Sequence, residues 1–324
     1  MRRIILFVTL IFTSFNNYLL YTSLPKKTRP GPVFPQKPDQ PVDPQPLPEP
    51  EKPPQPPKQV EPEYIDVPKV SNRVAGDTIY ADIMNHARNP VFGYDEDTNA
   101  HETTHMINSD IRNGKQGGGK INGFYVQKSK GVIVAEPNMR KSAVVEFLPP
   151  SLRSYRYGTY ITGQQAWDDT PLYIFDEWTA YVNGGMVSVE LVQIGKHKGQ
   201  WTDAVSGCLD FSIYSIATAM AVAKNDPEYF RSNTQFKKFL VWQLKRAYDT
   251  YKVGSKMKEF TWDKQDKLLQ SLRTAPEAEN MRKFIKENLE GVWLDDSFEA
   301  KTNYTDWHKG KTIKLNFIPP FERN

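Results

Sequence analysis

Residues 93–113 read GYDEDTNAHETTHMINSDIRN and carry two histidines in the pattern HETTH. Residues that commonly cap helices precede this pattern and Gly114 follows it, so the sequence predicts a helix over about 99–112. Residues four apart share one face of an α-helix. His101 and His105 should therefore point in the same direction and be able to bind one metal ion.

Glu102 lies next to the first histidine and is displaced by about 100° around the helix axis. It can therefore approach a water molecule on the metal without being a ligand. Zinc lowers the pKa of a bound water to about 7, and a neighbouring carboxylate can take its proton as the water attacks a carbonyl carbon. Such a site needs a third protein ligand and one open coordination position.

HETTH resembles the zinc-binding helix of the zincin metallopeptidases. In metzincins the motif continues with a glycine and a third histidine, but this chain has Asn108 and Ile111 at those positions. The resemblance is therefore to the gluzincin branch. It implies a zinc ion, a protein or peptide substrate, and an α+β domain in which a small sheet covers the motif helix and a helical C-terminal subdomain completes the cleft.

Gluzincins take their third ligand, a glutamate, from a later helix, and Glu177 in FDEWTAYVNG is the best candidate. The sequence EWTAY resembles the surroundings of some gluzincin third ligands, in which a small residue such as Ala180 lets two helices approach closely. Asp176 is adjacent and competes for the role, because neighbours on a helix point about 100° apart and only one can face the metal. The further alternatives for the third ligand are Glu190, Glu136 and His197.

A hydrogen-bond donor is also needed to stabilise the oxyanion that develops on the substrate. Tyr173 and Tyr181 precede and follow Glu177 by four residues, so they should share its helix face. Asp210 could orient one of the zinc histidines, or it could cap its own helix or face water near the start of that helix. Other candidate donors are Tyr155, Tyr157, Tyr160 and His197.

The sequence around these residues predicts a mixture of strands and helices. INGFYVQ (121–127) and GVIVAE (131–136) are typical of a β-hairpin. AVVEFLPP (143–150) predicts a third strand that ends at two prolines. Further helices are predicted over 171–185, 206–225, 227–252, 263–273 and 276–290, the second of them apolar on all sides and therefore buried.

Before this domain the chain has a different composition. A basic start and a long apolar run make residues 1–24 a signal peptide or an uncleaved membrane anchor. Sixteen of the 25 prolines fall in residues 25–68, which therefore predict an extended linker. The catalytic domain should then comprise residues 69–324, with the motif-bearing α+β part at 69–205 and the mainly helical part at 206–324.

Composition and loop sequence argue against a nucleic-acid partner, an intrachain disulfide and a phosphate-binding loop. The net charge is only +4 and no dense block of lysine and arginine occurs, so we expect no nucleic-acid partner. The single cysteine, Cys208, excludes an intrachain disulfide and lies in an apolar run, so it should be buried. GKQGGGK (114–120) lacks the order of a phosphate-binding loop and should form a flexible rim of the cleft.

The sequence thus predicts a zinc metallopeptidase that acts outside the cytoplasm, either secreted or anchored to a membrane by its N-terminal segment. The alternative is a non-catalytic surface or envelope protein on a proline-rich stalk, with a structural zinc site or none. The two hypotheses differ in whether the chain hydrolyses peptide bonds with zinc. The sequence does not indicate an oligomeric state.

Overall fold

Helices make up most of the domain, and one small antiparallel sheet lies among them. The computed structural model describes residues 61–114, 120–199, 201–260 and 265–296. The α+β composition expected from the sequence is confirmed in these residues. The predicted signal or anchor at 1–24 and most of the predicted linker lie outside them, as does most of the loop 114–120.

The regular elements are numbered in chain order. The strands are β1 (Tyr64–Asp66), β2 (Ile121–Tyr125) and β3 (Lys130–Ala135). The α-helices are α1 (Ile79–His86), α2 (Glu96–Gly114), α3 (Tyr173–Gln193), α4 (Ala204–Asn225), α5 (Pro227–Ser232), α6 (Thr234–Gly254), α7 (Gln265–Thr274) and α8 (Glu279–Asn288). Short 3₁₀ helices occur at Lys141–Phe147, Pro150–Leu152, Gln165–Trp167, Lys258–Phe260 and Pro276–Ala278, and a π-helical turn at Gly158–Thr162.

The sheet has the order β1-β3-β2, with both pairs antiparallel. The predicted hairpin is confirmed, and Phe124 pairs with Val132 in it. Both of these side chains are fully buried and belong to the main core, where the Phe124 ring stacks on Phe239 of α6 at 4.9 Å between centroids. One face of the hairpin therefore attaches the sheet to the helices.

The predicted end of the linker at residue 68 is too late in the chain, because β1 already belongs to the sheet. Tyr64 pairs with Val132, so β1 adds an edge strand to β3. The side chain of Gln235 on α6 bonds both the backbone N–H and the carbonyl of Glu63, and Val67 is buried. A strand of three residues between prolines has no local signal, because its hydrogen bonds come from a distant partner. The folded domain therefore begins before residue 69.

The segment 143–150 is not the strand that its valines and phenylalanine suggest. Residues Lys141–Phe147 form a 3₁₀ helix, in which Val144 and the following Leu148 are buried while the residues between them are partly or fully exposed. Burial at four-residue spacing is helical, not the alternation of a strand. Packing against α4 decides the conformation here, because β-propensity depends on a neighbouring strand.

Helix α3 continues through the glycine pair that was predicted to end it, and stops only at Gln193. A Cβ atom on Gly184 would lie 2.8 Å from the Trp201 ring, and one on Gly185 would lie 3.2 Å from the Cys208 sulfur. The glycines therefore allow neighbouring segments to pack closely against α3. This packing outweighs the roughly 1 kcal/mol that a glycine costs inside a helix.

Helix α4 is the buried central helix expected at 206–225. Among the described helices it is the one long and apolar enough to cross a membrane by composition, but 94% of its apolar stretch is buried within the protein. Its residues share one hydrophobic core with α3, α6 and the hairpin, so the predicted parts 69–205 and 206–324 pack on a common interior. The single helix predicted over 227–252 is divided at Asn233, whose side chain caps α6.

Candidate metal centre

Helix α2 carries the HETTH motif and begins three residues earlier than predicted. Its inner face packs on α3 and on β2. Asn183 of α3 joins the three elements, because its side-chain amide donates to the Thr104 hydroxyl at 3.1 Å and to the Tyr125 carbonyl at 3.0 Å. These buried contacts set how α3 is rotated relative to the histidines of α2.

Three predicted ligands come together at the crossing of α2 and α3. The Nε2 atoms of His101 and His105 lie 3.2 Å apart, and Oε2 of Glu177 lies 3.9 Å from the first and 3.6 Å from the second. A point in the plane of these atoms is about 2.1 Å from each of them, the length of a zinc–nitrogen or zinc–oxygen bond. This group could hold a metal ion.

Asp176 faces the opposite nitrogen of His105. Its Oδ2 accepts a hydrogen bond from His105 Nδ1 at 2.9 Å, and its Oδ1 accepts one from Asn108 Nδ2 at 2.5 Å. The two adjacent carboxylates therefore have separate positions, with Glu177 in the donor group and Asp176 behind a histidine. The bond to Nδ1 directs the other nitrogen of His105, Nε2, towards the donor group.

The remaining candidate acids are engaged elsewhere. Glu136 accepts a hydrogen bond from Asn122 at 2.6 Å, and Glu190 accepts one from the backbone N–H of Ile79 at the start of α1. The expectation that Asp210 orients a zinc histidine, caps its helix or faces water is wrong, because Asp210 is fully buried and pairs with Arg156 at 2.6 Å. A buried aspartate needs such a partner to remain charged.

Burial and neighbouring charges shift the pKa values of the two histidines in opposite directions. Burial, followed by the neighbouring His105, holds the pKa of His101 well below its ordinary value. Burial also opposes a charge on His105, but Asp176 and Glu177 outweigh it and hold the pKa of His105 well above its ordinary value. Either a proton on His105 or a metal cation between the three candidate ligands would offset the negative charge of the two carboxylates.

Glu102 stays outside the donor group but beside it. Its side chain is partly exposed, and burial raises the pKa of its carboxyl, an effect that His105 reduces and Glu177 reinforces. Glu102 therefore lies close enough to His105 and Glu177 for their charges to affect its pKa, while part of its side chain remains open to solvent. A carboxylate with a raised pKa in this position is suited to accept a proton at neutral pH.

The two tyrosines predicted as oxyanion donors have different environments. The Tyr173 hydroxyl donates to Glu177 Oε1 at 2.5 Å, so it holds the carboxylate oxygen that does not face the histidines. The Tyr181 ring lies edge-on against His101, with 4.6 Å between ring centroids. Its hydroxyl lies 3.1 Å from that of Tyr160, which is the more exposed of the pair.

The other predicted donors lie away from this group. The Tyr155 hydroxyl bonds Asp203, and the Tyr157 ring packs under Arg153 at 4.7 Å. His197 lies beside Asp97, with 3.8 Å between its Nε2 and the carboxylate. Of the tyrosines and the histidine predicted as donors, Tyr160, Tyr173 and Tyr181 lie nearest the candidate ligands.

Sequence reasoning missed two supporting residues. Asn108, three positions after His105, accepts a hydrogen bond from the backbone N–H of Tyr125 and donates one to Asp176. Its side chain therefore links the motif helix to the sheet. Its spacing on the ligand face was a signal that could have identified it. Trp201 packs edge-on against His101, with 5.5 Å between ring centroids, and its ring also lies against Gly184. Both contacts are long-range, so no local pattern in the sequence identifies Trp201.

No protein-family model, no curated protein and no solved structure matches this chain.

Proposed function

We propose that this chain is a zinc-dependent metallopeptidase of the gluzincin type. One observation carries the proposal: the donor atoms of His101, His105 and Glu177 converge from two helices with Glu102 beside them. The buried contacts between α2 and α3 hold this arrangement in place. The motif HETTH alone would position only the two histidines.

The choice of zinc follows from the donor set. Two imidazoles and one carboxylate are the ligands of many catalytic zinc sites, which keep a fourth position open. The hydrogen bond from His105 to Asp176 is the usual carboxylate support for a ligating histidine. Glu177 is supported likewise by the Tyr173 hydroxyl.

When bound, zinc would lower the pKa of a water ligand and polarise the carbonyl of the scissile peptide. Glu102 would accept the proton of the attacking water and pass it to the leaving amine. The partly exposed Tyr160 hydroxyl, backed by Tyr181, would donate a hydrogen bond to the developing oxyanion. Tyr173 would keep Glu177 in its ligating orientation.

The substrate class and the location are also part of the proposal. The resemblance of HETTH to zincins favours a protein or peptide substrate. The apolar N-terminal run at 1–24 and the proline-rich sequence that follows favour action outside the cytoplasm, with the enzyme either secreted or held at a membrane.

The test combines metal analysis with hydrolysis. Purified protein should contain about one zinc per chain and should hydrolyse casein in a reaction that a chelator stops and zinc restores. Glu102→Gln should lower kcat by at least about 10²-fold, because the base is lost, while the zinc content stays that of the wild type. Glu96→Gln, on the same helix but in its first turn, serves as the matched control.

A Glu102→Gln variant with full activity would end the proposal. Zinc at full occupancy without hydrolysis of any peptide, or a chain that binds no zinc, would favour the non-catalytic stalked protein instead.

A further inference from the structure

Lys141 is a buried lysine whose ammonium forms hydrogen bonds to a turn of the backbone. Only 2% of its surface is exposed. Its ammonium donates to the carbonyls of Tyr160, Ile161 and Gly163 at 3.0, 2.9 and 2.9 Å. An ammonium has three protons, so each of them has a backbone acceptor in the same short segment.

This segment is the π-helical turn Gly158–Thr162 together with the residue that follows it. Gly163 closes the turn by donating from its N–H to the Gly158 carbonyl at 2.8 Å. A Cβ atom on Gly163 would lie 2.6 Å from the Thr159 carbonyl oxygen, so the turn is tightly wound. Turns of this kind are rare and occur frequently at functional sites.

A buried ammonium is a costly way to fill space, because a charge loses its hydration on burial. Burial lowers the pKa of Lys141, and Asp168 opposes this effect only in part. A methionine would fill the same volume without that cost. The presence of lysine therefore indicates that holding these three carbonyls in one orientation matters.

The turn carries Tyr160 towards the candidate metal centre. The Tyr160 hydroxyl lies 3.1 Å from that of Tyr181, whose ring packs on the ligand His101. The Tyr160 ring is held edge-on by Phe211 at 4.9 Å. Burial, then Tyr181, then Glu177 raise the pKa of Tyr160, so its hydroxyl stays protonated beside the ligands.

We propose that Lys141 is a positioning residue, whose ammonium locks the π-helical turn so that the Tyr160 hydroxyl points at the metal centre. Its consequence for catalysis rests on the function proposed above, whereas the test of its effect on the placement of Tyr160 needs zinc binding but no hydrolysis. The three hydrogen bonds of the Lys141 ammonium go to the turn and not to the three ligands, so its removal should leave metal binding intact.

The kinetic experiment is a double-mutant cycle between Lys141→Met and Tyr160→Phe. Tyr160→Phe should lower kcat by about 10²-fold, the usual effect of losing one oxyanion donor. Lys141→Met should lower kcat by about 10- to 100-fold through misplacement of that donor, with KM and zinc content little changed. The double variant should be no slower than Tyr160→Phe, because Lys141 acts through Tyr160.

A spectroscopic experiment does not depend on turnover. With 3-fluorotyrosine at position 160, zinc binding should shift the ¹⁹F resonance of the otherwise unmodified protein, and Lys141→Met should at least halve that shift. Lys224→Met is the control, because Lys224 is an exposed lysine that pairs with Glu146 on the surface, and it should preserve the shift. If Lys141→Met does not fold, Lys141→Gln, which keeps two N–H donors, takes its place in both experiments.

Additive effects of the two substitutions on kcat, or an undiminished zinc-dependent ¹⁹F shift in the Lys141 variant, would overturn the positioning role. A protein that binds zinc but hydrolyses nothing would instead remove the proposed function. The ¹⁹F comparison would then still decide whether Lys141 places Tyr160.

Discussion

Replacing Asp176 by asparagine tests whether Asp176 supports His105 by a hydrogen bond while its neighbour Glu177 acts as the metal ligand. Asp176 accepts one hydrogen bond from His105 and one from Asn108, with one oxygen for each. Asparagine keeps the shape but has only one acceptor oxygen, so its NH₂ group must face one of the two donors. Glu177→Gln, in contrast, changes a predicted ligand.

The magnitude follows from the bond that is lost. A hydrogen bond to a charged group contributes about 1.5–3 kcal/mol, and about 1.4 kcal/mol corresponds to a tenfold change in affinity. The side chains of His105 and Asp176 are 22% and 15% exposed, so water can replace part of the interaction. We therefore expect zinc to bind about tenfold more weakly to Asp176→Asn, near the lower limit of this range.

The assay is competition for zinc against a chromogenic chelator, which reports Kd for each variant at one pH. Glu177→Gln should lose most of its zinc under conditions in which Asp176→Asn retains it. Asp169→Asn, which removes an exposed carboxylate paired with Lys120, should bind zinc as the wild type does. An Asp176→Asn protein with wild-type Kd would refute the supporting role, and one as weak as Glu177→Gln would make Asp176 a ligand.

Three further predictions concern stability. Deleting residues 1–60 should leave the melting temperature of the domain unchanged, whereas deleting 1–68 should lower it, because that deletion removes β1 and exposes the edge of β3; equal melting temperatures would show that β1 contributes nothing. Gly207→Ala should destabilise the protein in urea titrations, because its Cβ atom would lie 2.3 Å from the Tyr181 ring. Overpacking costs about 1–3 kcal/mol, whereas the gain in helix propensity is about 1 kcal/mol, and a more stable variant would contradict this packing. Burial raises the pKa of Glu136 to about 7, so its contribution to stability is fully present below its unfolded pKa and is lost as the pH rises from there through 7. In urea titrations between pH 5 and 8, Glu136→Gln should therefore lose less unfolding free energy than the wild type does. An equal loss in both proteins would place that pH dependence elsewhere.

The parts of this protein that could be predicted from sequence are those whose geometry is local. The four-residue spacing of His101 and His105 places them on one helix face, and their Nε2 atoms meet at 3.2 Å. The hairpin of β2 and β3 and the buried helix α4 likewise follow from short patterns of apolar and turn residues. In each case, the residues that determine the structure are only a few positions apart in the chain.

The choice of Glu177 over Asp176 as the candidate third ligand depends on tertiary structure. Asp176 and Glu177 are neighbours in sequence and differ by one methylene group, so only the rotation of α3 against α2 separates their roles. That rotation is set by contacts such as those of Asn183 with Thr104, which join residues far apart in the chain. No local pattern contains this information.

The same reason explains the other differences. Strand β1 exists because β3 supplies its hydrogen bonds, and α3 runs through Gly184 because Trp201 packs where a side chain would stand. The turn that carries Tyr160 is held by Lys141, 19 residues earlier in the chain. Spacing along a helix determines which residues can act together, whereas long-range packing decides which of several similar side chains reaches the site.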